Sequence, residues 1–265
     1  MLYVGTSGYS YKDWVGPYYP EGLPSRDWLG FYARDFKTTE INYTYYRVPT
    51  AATLAAMASK VPDDFLFTIK ASKELTHERE GEVVPEAAAQ FVEAIQPLIE
   101  QRKFGCILAQ FPTSFHNTPQ NQDYLRRLRD PKFFGDLPLV IEFRNVEWAD
   151  DEVYELLRQN NLGFCAVDQP RFKSLMPPDA VVTSDVAYVR FHGRNYEKWW
   201  HHEEAYERYS YRYSDEELQE WVPKMVEMAE QAPLMFAFAN NHWQGQSVDT
   251  ARQIAALMAG HTQVA

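Results

Sequence analysis

Eight short apolar runs rich in β-branched and aromatic residues recur along the 265-residue chain, and nearly every one is followed by an amphipathic helical stretch. The runs are LYVG (2–5), TTEIN (38–42), FLFTIKA (65–71), FGCILAQ (104–110), LVIEFR (139–144), GFCAVD (163–168), AYVRFH (187–192) and LMFAFAN (234–240). Helical periodicity falls near 25–36, 50–59, 86–102, 119–129, 150–161, 214–230 and 247–259. Ser25, Thr50, Ser214 and Ser247 stand where N-caps belong, and Pro119 suits a first helical turn. Strands that alternate with helices imply parallel pairing through crossover connections. Eight such units in this length predict an α/β protein: one domain over 1–265, a (β/α)8 TIM barrel with long aromatic βα loops. An open doubly wound sheet would carry fewer strands and a glycine-rich phosphate loop, which GTSGYS is not. Between the sixth and seventh strands SLMPPDAVV gives no clear helix.

Barrel enzymes carry their chemistry at the carboxyl ends of the strands. Those ends hold Thr6 and Ser7; Glu40 and Asn42; Thr68, Lys70 and Ser72; Gln110; Glu142 and Arg144; Asp168; Arg190 and His192; Asn240 and Asn241. In strands two, three, five and seven the polar residues recur two apart, separated by Ile41, Ile69, Phe143 and Phe191. Period two sends the polar set to one face and the apolar set to the other. Helices cover the outside of a barrel, so the polar set is expected to point into the upper lumen. Lys70, Arg144 and Arg190 then balance Glu40, Glu142 and Asp168. A purely structural ion-pair network is one reading of this set, because buried charges require partners. A core needing only packing would use Val, Ile and Leu there.

Three chemistries compete for the functional reading. In the leading one, Arg144, Arg190 and Lys70 hold a small anionic or sugar-containing polar substrate, since guanidinium forks recognise phosphate and carboxylate. Glu142, Asp168 or His192 would supply the acid or base. Glu40, Asn42, Gln110, Asn240 and Asn241 would line the substrate. In the second, Glu40, Glu142, Asp168 and His192 hold Mn²⁺, Mg²⁺ or Zn²⁺ in a metal-assisted hydrolase or isomerase, phosphodiesters included. Two arginines on the same arc oppose a cation, and no HxH or HExxH is present, so no metal site is assigned and the cofactor stays open. A glycosidase would need paired carboxylates, where strands four and seven offer Gln110 and Arg190 with His192. A non-catalytic ligand-binding module is a further class.

The formal net charge of −11 disfavours nucleic acid and anionic membrane as partners. No run of eighteen apolar residues is present, so no membrane span is expected. A strand that starts at Leu2 leaves no room for a signal peptide, and the cytoplasm is the expected compartment. Strand parity sends Cys106 and Cys165 to opposite faces, which argues against a disulfide. The loops after strands one, two and seven are aromatic, and Arg47, Lys198, Arg208 and Arg212 lie among those rings. WWHHEE (199–204) has the look of a metal tract but reads as a solvated loop. Oligomeric state has no signature.

Taken in order, GTSGYSYKDW, EINYTYYRVP, TIKASKELTH, QFPTSF, EFRNVEW, VDQP, YVRFHGR and FANNHWQG resemble the YecE-like family of barrels, domain of unknown function 72. HGR followed by RYSY and an ELQEW helix is especially specific, whereas VDTARQIAAL departs from the usual Asn-Ala before the last helix. The resemblance implies a barrel fold and supplies no reaction. It implies that Thr6, Glu40, Asn42, Lys70, His77, Gln110, Glu142, Arg144, Asp168, Arg190, His192, Gly193, Asn240 and Asn241 belong to shared motifs, and it alone brings in His77.

Overall fold

The computed structural model describes residues 1–78 and 85–265. Its strands are β1 (Leu2–Ser7), β2 (Thr38–Ile41), β3 (Leu66–Lys70), β4 (Phe104–Gln110), β5 (Leu139–Glu142), β6 (Gly163–Asp168), β7 (Val186–Phe191) and β8 (Leu234–Ala239). Each pairs in parallel with the next, and β8 returns to β1, so the sheet closes as a (β/α)8 barrel. Closure leaves no free edge, and the crossover helices cover the outer face.

The described helices are α1 (Trp28–Tyr32), α2 (Ala51–Ala58), α3 (Lys73–Thr76), α4 (Pro85–Glu100), α5 (Pro119–Arg127), α6 (Asp151–Gln159), α7 (Asp215–Gln219), α8 (Val222–Gln231) and α9 (Gln246–Met258). Thr50 caps α2 by accepting from Thr53 N, and Ser214 and Glu217 form a reciprocal capping box on α7. Ser25 and Ser247 lie inside helical turns instead of capping them. The single helix expected over 214–230 is two helices, because Pro223 cannot donate to a preceding carbonyl and starts α8 afresh. No helix among the described residues is long and apolar enough to cross a membrane.

Register decides which side chains enter the lumen. Glu40 pairs with Ser7 and Thr68, Gln110 with Glu142, and Arg190 with Phe238. The alternation in β2, β3, β5 and β7 therefore runs as their sequences predict, with Phe143 stacked outward on Trp148 and Phe191 edge-on to Trp221. Strand β6 does not follow its predicted parity: Cys165 pairs with Tyr188 and Val167 with Arg190. Both cysteines are thus on the lumen side, free and buried, and not on opposite faces. A register shift in the β3–β4 ladder falls beside Gly105, where a Cβ would stand 2.6 Å from the Phe236 ring. Glycine is what lets this irregular stretch pass the aromatic filling of the lower lumen.

Candidate functional site

Arg190 is the hub of the middle lumen. Its Nη1 donates to Glu142 Oε2 and its Nη2 to Glu40 Oε1, both at 2.6 Å. Glu40 Oε2 accepts from Tyr188 Oη at 2.6 Å, and that hydroxyl is 2.9 Å from Thr68 Oγ1. All five side chains are buried. Burial disfavours the Arg190 charge, but Glu142 and Glu40 outweigh it and keep the guanidinium firmly protonated. This layer has the closed pairing that a structural network requires, and Arg190 also reaches the wall of the cavity above it.

A second layer above it faces the mouth. Arg144 Nη2 lies 2.9 Å from Glu142 Oε1, and His192 Nε2 lies 3.1 Å from the same oxygen. Burial opposes ionisation of Glu142, yet Arg144, Arg190 and His192 together hold its carboxyl well below the ordinary carboxylate range. His192 receives Asn240 Nδ2 on Nδ1 at 2.9 Å, so the neutral ring carries its proton on Nε2 and donates to Glu142. Burial, then Arg144, pushes the His192 pKa down to about 3. Lys70 Nζ donates to Gln110 Oε1 at 2.9 Å and stands 4.8 Å from the centre of the Tyr45 ring. Burial, then the neighbouring Arg190, lowers the Lys70 pKa to about 8, against the opposing pull of Glu142 and Glu40.

A cavity of about 390 Å³ opens over this layer, with Lys70, Arg144, Asn42, His77, Gln110 and Asn240 in its wall. Tyr209 and His242 also line it, and a smaller cleft of about 270 Å³ continues past Arg144 and His77 to Trp199, Trp200 and Arg208. Asn42 Oδ1 and His242 Nδ1 are buried without a hydrogen-bond partner among the described residues. The long loop after β7 supplies Tyr209 and leaves the barrel at Gly193, whose φ of +88° favours glycine. Of the loop cations, Arg208 lines the cleft, whereas Lys198 pairs with Glu207 and Arg212 with Asp249.

Three expected lumen residues point the other way. Asp168 is on the outer face of β6, where its carboxylate accepts from Tyr213 Oη at 2.6 Å, Trp221 Nε1 at 2.7 Å and Arg194 Nη2 at 2.7 Å. Its carboxylate fastens the β7 loop and α8 to the barrel wall and makes no bond to the Glu142 or His192 side chains; His192 meets Asp168 through the backbone alone, N to O at 2.8 Å. Asn241 likewise turns outward, donating to Tyr211 O and Thr250 Oγ1, and Thr6 bonds Tyr32 behind β1. The cause is the same in each case: adjacent strand residues face opposite sides, and Val167, Asn240 and Ser7 take the inward places. Among the described residues no three His, Cys, Asp or Glu side chains are grouped to hold a metal ion. Asp168→Ala is expected to cost about 2–4 kcal/mol of stability, read from urea denaturation, because it leaves the buried Tyr213 hydroxyl and Trp221 indole N–H without their acceptor, while Arg194 keeps Glu220.

With Asp168 outside, the named lumen charges are Lys70, Arg144 and Arg190 against Glu40 and Glu142, an excess of one positive charge. The whole-chain pattern has counterparts. Residues 3–265 match a family model described as Protein of unknown function DUF72. The chain belongs to DUF72. A DUF72 protein from Thermotoga maritima has a crystal structure with a TM-score of 0.90 and 38% identity, covering 98% of this chain and 99% of that one. Another from Enterococcus faecalis gives 0.85 at 26% identity, over 98% and 96%. The UPF0759 protein YunF of Bacillus subtilis is 27% identical over 272 residues, 97% of this chain and 95% of YunF. The DUF72 fold thus positions the charged mouth, and no reaction comes with the family description.

Sequence reasoning passed over Tyr188, although it lies two residues before Arg190 on the same face and the signal was present. Arg194 was also missed; its partners Asp168 and Glu220 are each 26 residues away, beyond any local pattern.

Proposed function

We propose that this barrel is an enzyme that binds a small anionic, polar or sugar-containing substrate at the carboxyl end of the strands. Arg144 is its fixed cation and Lys70 its titratable one, while Asn42, His77, Gln110 and Asn240 contact the polar remainder. The observation that carries this reading is the positive charge left uncompensated among the described residues and facing an open cavity, since a network needed only for packing would close its charges among themselves. Asn42, Gln110, Asn240 and His242 in the cavity wall favour a ligand that bears hydroxyl groups.

Within this reading Glu142 and His192 are positioning residues. Both Glu142 oxygens are occupied and the group is held ionised, so it orients Arg144, and His192 and Asn240 orient Glu142. Proton transfer then falls to Lys70. The cytoplasm suits two free buried thiols, and an acidic chain suits a small ligand better than nucleic acid.

Titration calorimetry with phosphate, sulfate and small carboxylates tests the proposal. One anion is expected to bind per chain. An anion stabilises protonated Lys70, so affinity is fully present below the lysine pKa of about 8 and falls as pH rises through it. Lys70→Met is expected to weaken binding and flatten the profile. Failure of all three anions to bind, or binding that ignores both pH and the substitution, sinks the reading.

A further inference from the structure

Lys70 differs from the two arginines beside it in having no carboxylate partner among the described residues. Arg190 bonds Glu40 and Glu142, and Arg144 bonds Glu142, while among the described residues the ammonium of Lys70 meets the Gln110 carbonyl oxygen and the face of Tyr45. Gln110 cannot exchange its amide ends freely, because Nε2 donates to Phe111 O at 2.7 Å. Its oxygen is therefore fixed on Lys70, holding one N–H and leaving the rest of the nitrogen towards the cavity. A desolvated lysine crowded by other cations is the arrangement that frees an amine for nucleophilic attack. The charged groups acting on it are Arg190 and Arg144, which disfavour the ammonium, and Glu142 and Glu40, which favour it without prevailing. With a pKa of about 8, about a tenth of molecules carry the free amine near neutrality.

We propose that Lys70 is a nucleophile that forms an imine with a small anionic aldehyde or ketone, an oxo acid or a phosphorylated carbonyl compound, whose anionic end lies on Arg144. The inference rests on the anion-binding reading and names its substrate class. The Nζ lone pair attacks the carbonyl carbon, and the C=O π electrons move to oxygen. Both amine protons pass to that oxygen, the C–O bond breaks, and water leaves a C=N bond to Nζ. Once protonated, the iminium donates its N–H to Gln110 Oε1 and draws electrons from the adjacent carbon, where a substrate bond can then break. Arg144 lines the same cavity as Lys70, whose volume of about 390 Å³ suits a molecule of this size.

The test uses the full-length protein with glyoxylate, pyruvate or glycolaldehyde phosphate and sodium cyanoborohydride, followed by peptide mass mapping. A reduced adduct is expected on Lys70 ahead of every other lysine. Its yield should rise about eightfold from about pH 7 to about pH 8.5 and then level off, whereas ordinary lysines keep gaining with pH. Inorganic phosphate should compete, Lys70→Arg should remove the preferred adduct, and Arg144→Gln should slow it at limiting probe. Labelling no faster at Lys70 than at surface lysines, in protein whose calorimetry shows phosphate binding, overturns the imine while leaving the anion site standing. Preferred labelling of Lys70 that neither phosphate nor Arg144→Gln diminishes overturns the anionic substrate class instead.

Discussion

Arg190→Met is expected to lower the unfolding free energy by about 3–5 kcal/mol, measured by urea denaturation, because it leaves buried carboxylates uncompensated. Glu40 suffers most. It keeps only the Tyr188 hydroxyl, whereas Glu142 retains Arg144 and His192. Methionine matches the length of the aliphatic stem but fills none of the guanidinium's bonds to Glu40, Glu142 and Ser7. Adding Glu40→Gln should recover part of the loss, since the stranded charge is then gone. A single substitution without effect on the denaturation midpoint would mean that water, not Arg190, solvates these carboxylates.

Arg144→Gln should do the opposite: a small change in stability and a large one in binding. Glu142 still has Arg190 and His192, so unfolding is expected to shift by about 1 kcal/mol or less. Removing the cation that faces the cavity should weaken phosphate or carboxylate binding by about 10–100-fold, the range for one charge-assisted hydrogen-bonding partner. Calorimetry of the variant against the native protein reads it. The two arginines meet the same carboxylate, Glu142, and both reach the cavity wall, yet Arg190 is also bound to Glu40 whereas Glu142 is the one carboxylate that Arg144 meets among the described residues. A variant that binds as tightly as the native chain would assign Arg144 to the structural network.

The barrel was legible because its signal is repeated eight times, and an error in one strand leaves the others intact. Lumen parity was legible wherever a strand alternates, as in Glu40–Ile41–Asn42 or Arg190–Phe191–His192. It failed in GFCAVD, which is apolar on both faces, and the carboxylate at its end gives no clue to its direction. Asp168 is drawn outward by Tyr213 and Trp221, 45 and 53 residues further on, and local pattern cannot see such partners. The doublets Thr6–Ser7 and Asn240–Asn241 pose the same problem, since one member of each must face out and composition does not say which. That single parity error hid the charge excess of the lumen, because Asp168 had made the count balance. Lys70 was visible as a cation, but its want of a carboxylate partner among the described residues emerges only from packing.

A crystal of this protein grown near neutral pH and soaked in phosphate would examine the ligand site itself. The expected result is a phosphate in the cavity with oxygens on both Arg144 and Lys70, above an unchanged Arg190–Glu40–Glu142 network. A cavity that stays free of anion at saturating phosphate, or a phosphate held elsewhere on the surface, would contradict it.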